Sequence, residues 1–159
     1  MSRYGLLLLF VLSLMAALAL QLILLPGPLN LGGPMWLVLT IAYWALFGPN
    51  YPVLLVAFCF GLVADVATAT PLGEHSLGLV LVAYACTSLR VVLGRYALLQ
   101  QALALLPMFL LYNLLLFWLD GMAHHPSDPL ARFLPAFTSA VLWPLYCMLL
   151  DALGGRDEQ

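Results

Sequence analysis

The stretch PVLLVAFCFGLVADVATAT, residues 52–70, decides what kind of protein this is. Its only charged side chain is Asp65, and its length is close to the roughly 20 mainly apolar residues that a membrane-spanning helix needs. Pro52 suits the first turn of a helix, where its missing N–H is no loss. Pro71-Leu72-Gly73 then closes the segment, because neither proline nor the glycine beyond it continues a helix.

The rest of the chain repeats this pattern. Of 159 residues, 65% are apolar and 8% charged, against about 45–50% and about 25% in a soluble domain, which excludes a water-soluble globule. Breaks rich in Pro, Gly and charge divide it into apolar segments at about 4–25, 34–47, 52–70, 77–92, 96–119 and 130–153. They predict an all-α, polytopic transmembrane bundle of about six spans, forming a single integral membrane domain over residues 1–159. The second segment, Pro34 to Phe47, reaches only about 21 Å at 1.5 Å per residue. It begins earlier, crosses a thinned region, or forms half of a re-entrant hairpin with the third. Pro107 predicts a kink in the fifth segment, and the sixth carries Pro144. Arg3 before an apolar run, with Ala17-Leu18-Ala19 after it, also suits a cleavable leader. The run continues through Leu25, however, which is a full bilayer length rather than a short signal core.

All five basic residues are arginines and there is no lysine. A nucleic-acid partner needs a basic stripe, and the P-loop and Schiff-base chemistries need a lysine, so these classes fall away. Cys59, Cys86 and Cys147 suit neither a disulfide framework nor a zinc site and read as small hydrophobes. With six spans and the N-terminus inside, Arg3, Arg90, Arg95 and Arg156 fall on the cytoplasmic side and Arg132 outside, as the positive-inside rule requires. The outer side then receives Glu74, His75, Asp120, His124, His125 and Asp128. The stretch from Gly121 to Asp128 has metal-capable side chains in no metal-binding spacing, and reads as a solvated loop. No GxSxG or acid/base pair proposes catalysis, and no cofactor is implied.

The candidate functional residues are the polar and small ones inside the apolar segments. Asp65 lies roughly 20 Å from the cytoplasmic end of its helix. An unpaired carboxylate there would cost about 2.5–3.5 kcal/mol, so it packs inward, hydrogen-bonds or takes up a proton. It serves as a proton or cation relay, as a polar anchor for a partner, or as a structural group with Thr68 or Thr70 beside it. Ala57, Gly61, Ala64 and Thr68 fall within about 40° of one line on the same helix. Such a stripe lets a helix of this chain or of a partner approach closely. Asn113, Tyr112, Gln100 and Gln101 offer hydrogen bonds between helices. Trp36, Trp44, Trp118 and Trp143 lie towards segment ends, as an interfacial aromatic belt would place them.

Several stretches resemble the MreD family of rod-shape-determining proteins: Pro34-Met35-Trp36-Leu37 leading to Tyr43-Trp44-Ala45-Leu46, then Gly61-Leu62-Val63-Ala64-Asp65 followed by Thr70-Pro71-Leu72-Gly73. Leu99-Gln100-Gln101 and Ser139-Ala140-Val141-Leu142-Trp143-Pro144 complete the ordered set, with Glu74-His75 as a charged departure after the turn. The resemblance implies a multi-pass protein of the bacterial inner membrane without catalytic activity, for which the arginine distribution expects both termini to be cytoplasmic. It also implies action with the single-span partner MreC and, through it, with MreB, RodA and a penicillin-binding transpeptidase in lateral peptidoglycan synthesis. The family is distantly similar to the six-helix S-components of vitamin transporters. That likeness keeps an alternative open, a binder of a small metabolite near Asp65, Glu74 and His75. Asp65, Pro71 and Gly73 match the most recognisable motif. With Ala57, Gly61, Ala64, Thr68, Asn113 and Pro144, they make up the set expected to serve structure or a partner interface.

Overall fold

A computed structural model describes residues 3–23, 33–49, 52–122 and 129–154. The breaks at Pro26-Gly27-Pro28 and at Asn50-Tyr51, the loop with His124, His125 and Asp128, and Arg156 lie outside the described residues. Six helices follow in order: α1 Arg3–Leu22, α2 Trp36–Phe47, α3 Val53–Thr68, α4 Glu74–Leu93, α5 Leu98–Met122 and α6 Pro129–Gly154. There is no strand among the described residues, and the chain is a multi-pass helical membrane protein. By length and apolar composition α1, α4, α5 and α6 can each cross a bilayer, whereas α2 and α3 are shorter.

Helix α2 is the axis of the bundle. Every residue from Leu37 to Leu46 is buried, as expected of a segment that is apolar all round. Side-chain hydrogen bonds fix its neighbours. On α1, Gln21 Oε1 accepts the Leu37 N–H (3.1 Å) and Ser13 Oγ accepts Trp44 Nε1–H (2.9 Å), so these two helices are antiparallel. On α6, Ser139 Oγ accepts the Met35 N–H (2.9 Å), Tyr146 pairs with Thr40 (2.5 Å), and Asp151 accepts the Tyr43 hydroxyl (2.5 Å). Position rises on both helices together, so α2 and α6 are parallel. These bonds satisfy polar groups that lipid could not.

The remaining helices alternate in direction. The end of α3 meets the start of α4, where Asp65 accepts the Gly73 N–H. Asp120, near the end of α5, pairs with Arg132, near the start of α6, and Trp143 Nε1–H donates to Gln101 Oε1 at the far end of α5 (3.2 Å). A Cβ on Gly154 would stand 3.6 Å from Leu9 Cδ2, which returns the end of α6 to the first half of α1. The start of α1 and the end of α6 therefore share one end of the bundle. The end of α2 lies there too, since Tyr43 bonds to Asp151, and the end of α4 joins it, since the Arg90 guanidinium donates to the Gly48 carbonyl. Val53 shares a cleft of about 300 Å³ with Trp44, Thr87 and Arg90. Helix α3 thus runs the length of α4 instead of turning back at half depth. Helix α2 is recessed at the opposite end, because Met35 meets Ser139, seven residues or about 10 Å beyond Arg132 on α6.

The apolar surface is turned outward, with Val141 77% and Val66 70% exposed, as a lipid-facing belt requires. Two expectations are corrected. Trp44 and Trp143 are interior, not interfacial, because each indole N–H finds an acceptor on a neighbouring helix, the half-buried Ser13 or the buried Gln101; Trp118 is exposed and Trp36 half-buried. Helix α4 begins at Glu74, three residues before the apolar run that predicts it at Leu77, because a side chain from α3 caps its first turn. Helices α5 and α6 run on through Pro107, Pro135 and Pro144.

Candidate functional site

The site grows from the last turn of α3. Ala69 is left-handed (φ 54°) and the Thr70 N–H returns to the Asp65 carbonyl (3.1 Å), which satisfies carbonyls that the helix end leaves open. The turn continues through Pro71, whose carbonyl accepts the Glu74 N–H (3.2 Å), to Gly73 at φ 103°. Only a residue without a Cβ adopts that angle freely. This reversal brings the first turn of α4 back onto the Asp65 side chain.

Asp65 is wholly buried. Its Oδ1 accepts the His75 N–H (2.7 Å) and faces His75 Nδ1 (2.9 Å), while Oδ2 accepts the Gly73 N–H (2.8 Å) and the Ser76 hydroxyl (3.2 Å). Thr70 Oγ1 adds a longer contact to Oδ1 (3.4 Å). An N-terminal cap usually comes from the residue preceding the helix; here it comes from the preceding helix. One residue therefore closes α3 with its carbonyl and opens α4 with its carboxylate. The negative charge also sits at the positive end of the α4 dipole. A carboxylate has about four lone-pair positions, and five donors converge on this one. That saturation leaves no position open for a metal or substrate oxygen.

The helices are held close enough for this by Gly61. A Cβ there would lie 2.3 Å from the Ser76 Cα and 2.6 Å from its N, so the backbones touch. Ala57 and Ala64 are buried on the same helix, whereas Thr68, at its end, is exposed and bonds back to the Ala64 carbonyl (2.7 Å). Beside the cap, Arg132 from α6 pairs with the buried Glu74 (3.0 Å) and with Asp120 of α5, tying three helices at one level. Glu74 Oε2 and Arg132 Nε are buried without a partner among the described residues.

The structure thus joins Asp65, Gly61, Ala64, Pro71 and Gly73 in one helix junction. Asn113, buried on α5, and Pro144, within α6, make none of its hydrogen bonds. Sequence reasoning missed Ser76 and the bridging role of Arg132. The signal for Arg132 was its position as the single base at an otherwise acidic end. His75, which the sequence offered only as part of a small-metabolite pocket with Asp65 and Glu74, supplies two of the donors to Asp65. Among the described residues no group of three His, Cys, Asp or Glu side chains is placed to hold a metal ion.

The family model described as rod shape-determining protein MreD matches residues 1–153. A rod shape-determining protein MreD of Haemophilus influenzae is 31% identical over 117 residues, covering 74% of this chain and 72% of that protein. No solved structure matches the chain. The Asp65 turn that resembled a family motif therefore lies inside a whole-length match, and the chain belongs to the MreD family, whose role is the determination of rod shape.

Proposed function

We propose that this protein is a non-catalytic scaffold of the cell-elongation machinery. It holds the transmembrane helix of an MreC-like single-span partner and, through it, acts with MreB, RodA and a penicillin-binding transpeptidase in lateral peptidoglycan synthesis. It sits in the bacterial inner membrane with both termini and the end of the bundle that carries Arg90 and Arg95 facing the cytoplasm, and Arg132 outside. The observation that carries the reading is family membership over nearly the whole chain, joined to an interior whose polar side chains fasten helix to helix. Asp65 is saturated by α4, and Gln21, Ser139, Tyr43 and Asp151 secure α2. A bundle fixed in this way offers a rigid surface to another helix, and membrane helices associate through such surfaces by close packing and hydrogen bonds.

Co-purification tests it. The full chain, tagged and produced with the MreC-like protein of the same organism, is extracted in a mild detergent, and the partner is expected in stoichiometric amount. A partner absent from the eluate, while the tagged chain remains folded and monodisperse, overturns the scaffold reading.

A further inference from the structure

The outer face of α4 differs from every other outward face of the bundle. At 100° per residue, Leu77, Leu81, Tyr84, Ser88 and Val91 fall within about 40° of one line, and all five are exposed. The opposite side of α4 packs on α2. One flank is closed by α3 at the Gly61–Ser76 contact, and the other by α5, where the Tyr112 ring covers Gly78. Ser76 and Gly78 each lie about 100° from this line, so α3 and α5 flank α4 from the sides and the exposed line is its outward face.

Tyr84 makes that face unusual. It stands ten residues after Glu74 and nine before Leu93, about 15 Å and about 13 Å from the ends of α4, and is 62% exposed. A phenol at this depth cannot reach either membrane surface, and tyrosines facing lipid belong at those surfaces. Tyr43 and Tyr146, which also lie within helices, have their hydroxyls bonded to Asp151 and Thr40. The Tyr84 and Ser88 hydroxyls have no side-chain partner among the described residues, and Thr87 beside them is already bonded to the Ala83 carbonyl (2.7 Å). Exposed hydroxyl side chains more than one turn from a helix end occur on α4 alone among the described helices. The outer faces of α3 and α6 present Leu55, Phe58, Val141 and Leu145 instead.

We infer that the outward face of α4 is where the single transmembrane helix of a partner docks, with a hydrogen-bond acceptor of that helix, a Ser, Thr, Asn or Gln oxygen, placed on Tyr84 and a small residue over Ser88. This rests on the scaffold reading above and specifies its contact surface. A hydroxyl surrounded by hydrocarbon has no acceptor in lipid, so an approaching helix that carries one is favoured over acyl chains. The surrounding leucines and valines supply the packing.

The test places a photoreactive benzoylphenylalanine in the full chain, co-produced with the MreC-like partner in cell membranes, at Leu81 or Ser88, and as controls at Val141 of α6 or Val66 of α3. Adducts with the partner from Leu81 and Ser88, and none from the controls, are expected. Tyr84→Phe, which keeps the ring, is expected to lower partner recovery roughly 3- to 10-fold, the effect of one interhelical hydrogen bond, while the unfolding of the isolated chain is unchanged. Adducts from Val141 or Val66 only, adducts solely with a second copy of this chain, or undiminished recovery with Tyr84→Phe overturn the α4 docking face and leave the scaffold reading intact. Failure of the unsubstituted chain to co-purify with the partner overturns both.

Discussion

Asp65→Asn changes one atom of the helix junction and should weaken the whole bundle. The amide keeps one acceptor oxygen and turns the other into an NH₂ donor. If the NH₂ takes the Oδ2 position it faces the Gly73 N–H at 2.8 Å, and if it takes the Oδ1 position it faces the His75 N–H at 2.7 Å. No rotation of the amide avoids two donors pointing at each other. Losing one charge-assisted hydrogen bond costs about 1.5–3 kcal/mol, and the orphaned amide about 1–3 kcal/mol more. Loss of the charge at the α4 N-terminus adds about 0.3–1 kcal/mol. The sum, about 5 kcal/mol, is a large part of the roughly 5–15 kcal/mol by which a domain is held folded. Unfolding from detergent micelles by titrated sodium dodecyl sulfate reads the total, and hydrogen exchange at residues 73–77 locates it. An Asp65→Asn chain that unfolds within about 1 kcal/mol of the unsubstituted one, with exchange at residues 73–77 unaltered, would refute the capping argument.

Two glycines of the same junction should separate cleanly in the same assay. Gly61→Ala drives a methyl to within 2.3 Å of the Ser76 backbone and should cost about 3 kcal/mol as α3 and α4 part. Gly73→Ala meets nothing within 4 Å and should cost only the about 1–2 kcal/mol of a left-handed alanine; the reverse order would contradict the close approach. Arg132→Ala leaves Glu74 buried and unpaired and should destabilise by about 3 kcal/mol. Adding Glu74→Gln should restore part of that, and no recovery in the double variant would show that the pair does not act together. For orientation, an impermeant maleimide is added to cells with a permeabilised outer membrane, in a chain whose three cysteines are replaced by alanine. It should label Gly121→Cys and spare Arg95→Cys, and the opposite pattern would invert the assigned topology.

Much of this was legible along the chain because lipid imposes a simple rule. Long apolar runs must become helices there, and the punctuation between them survives in any packing. The six helices, the small face of α3 and the importance of Asp65 follow from composition and spacing. The partners of Asp65 do not. Its donors come from Gly73, His75 and Ser76, and only the left-handed residues Ala69 and Gly73 turn the chain tightly enough to deliver them. Trp44 and Trp143 were misplaced for a related reason. Nearness to a segment end predicts an interfacial indole, but depth in the bundle is decided by which neighbours hold an acceptor.

By itself, the sequence determined that this is a helical membrane protein, where its helices break, and that a carboxylate lies in an apolar run, since the transfer of apolar and charged groups depends on residue type alone. Only the tertiary structure decided that α2 is the central helix, that α4 covers the Ala57–Gly61–Ala64 face, and that Asp65 is the cap of α4. Those outcomes depend on which helix stands beside which, and hydrogen bonds reaching about 3 Å between segments far apart in the chain leave no trace in local composition.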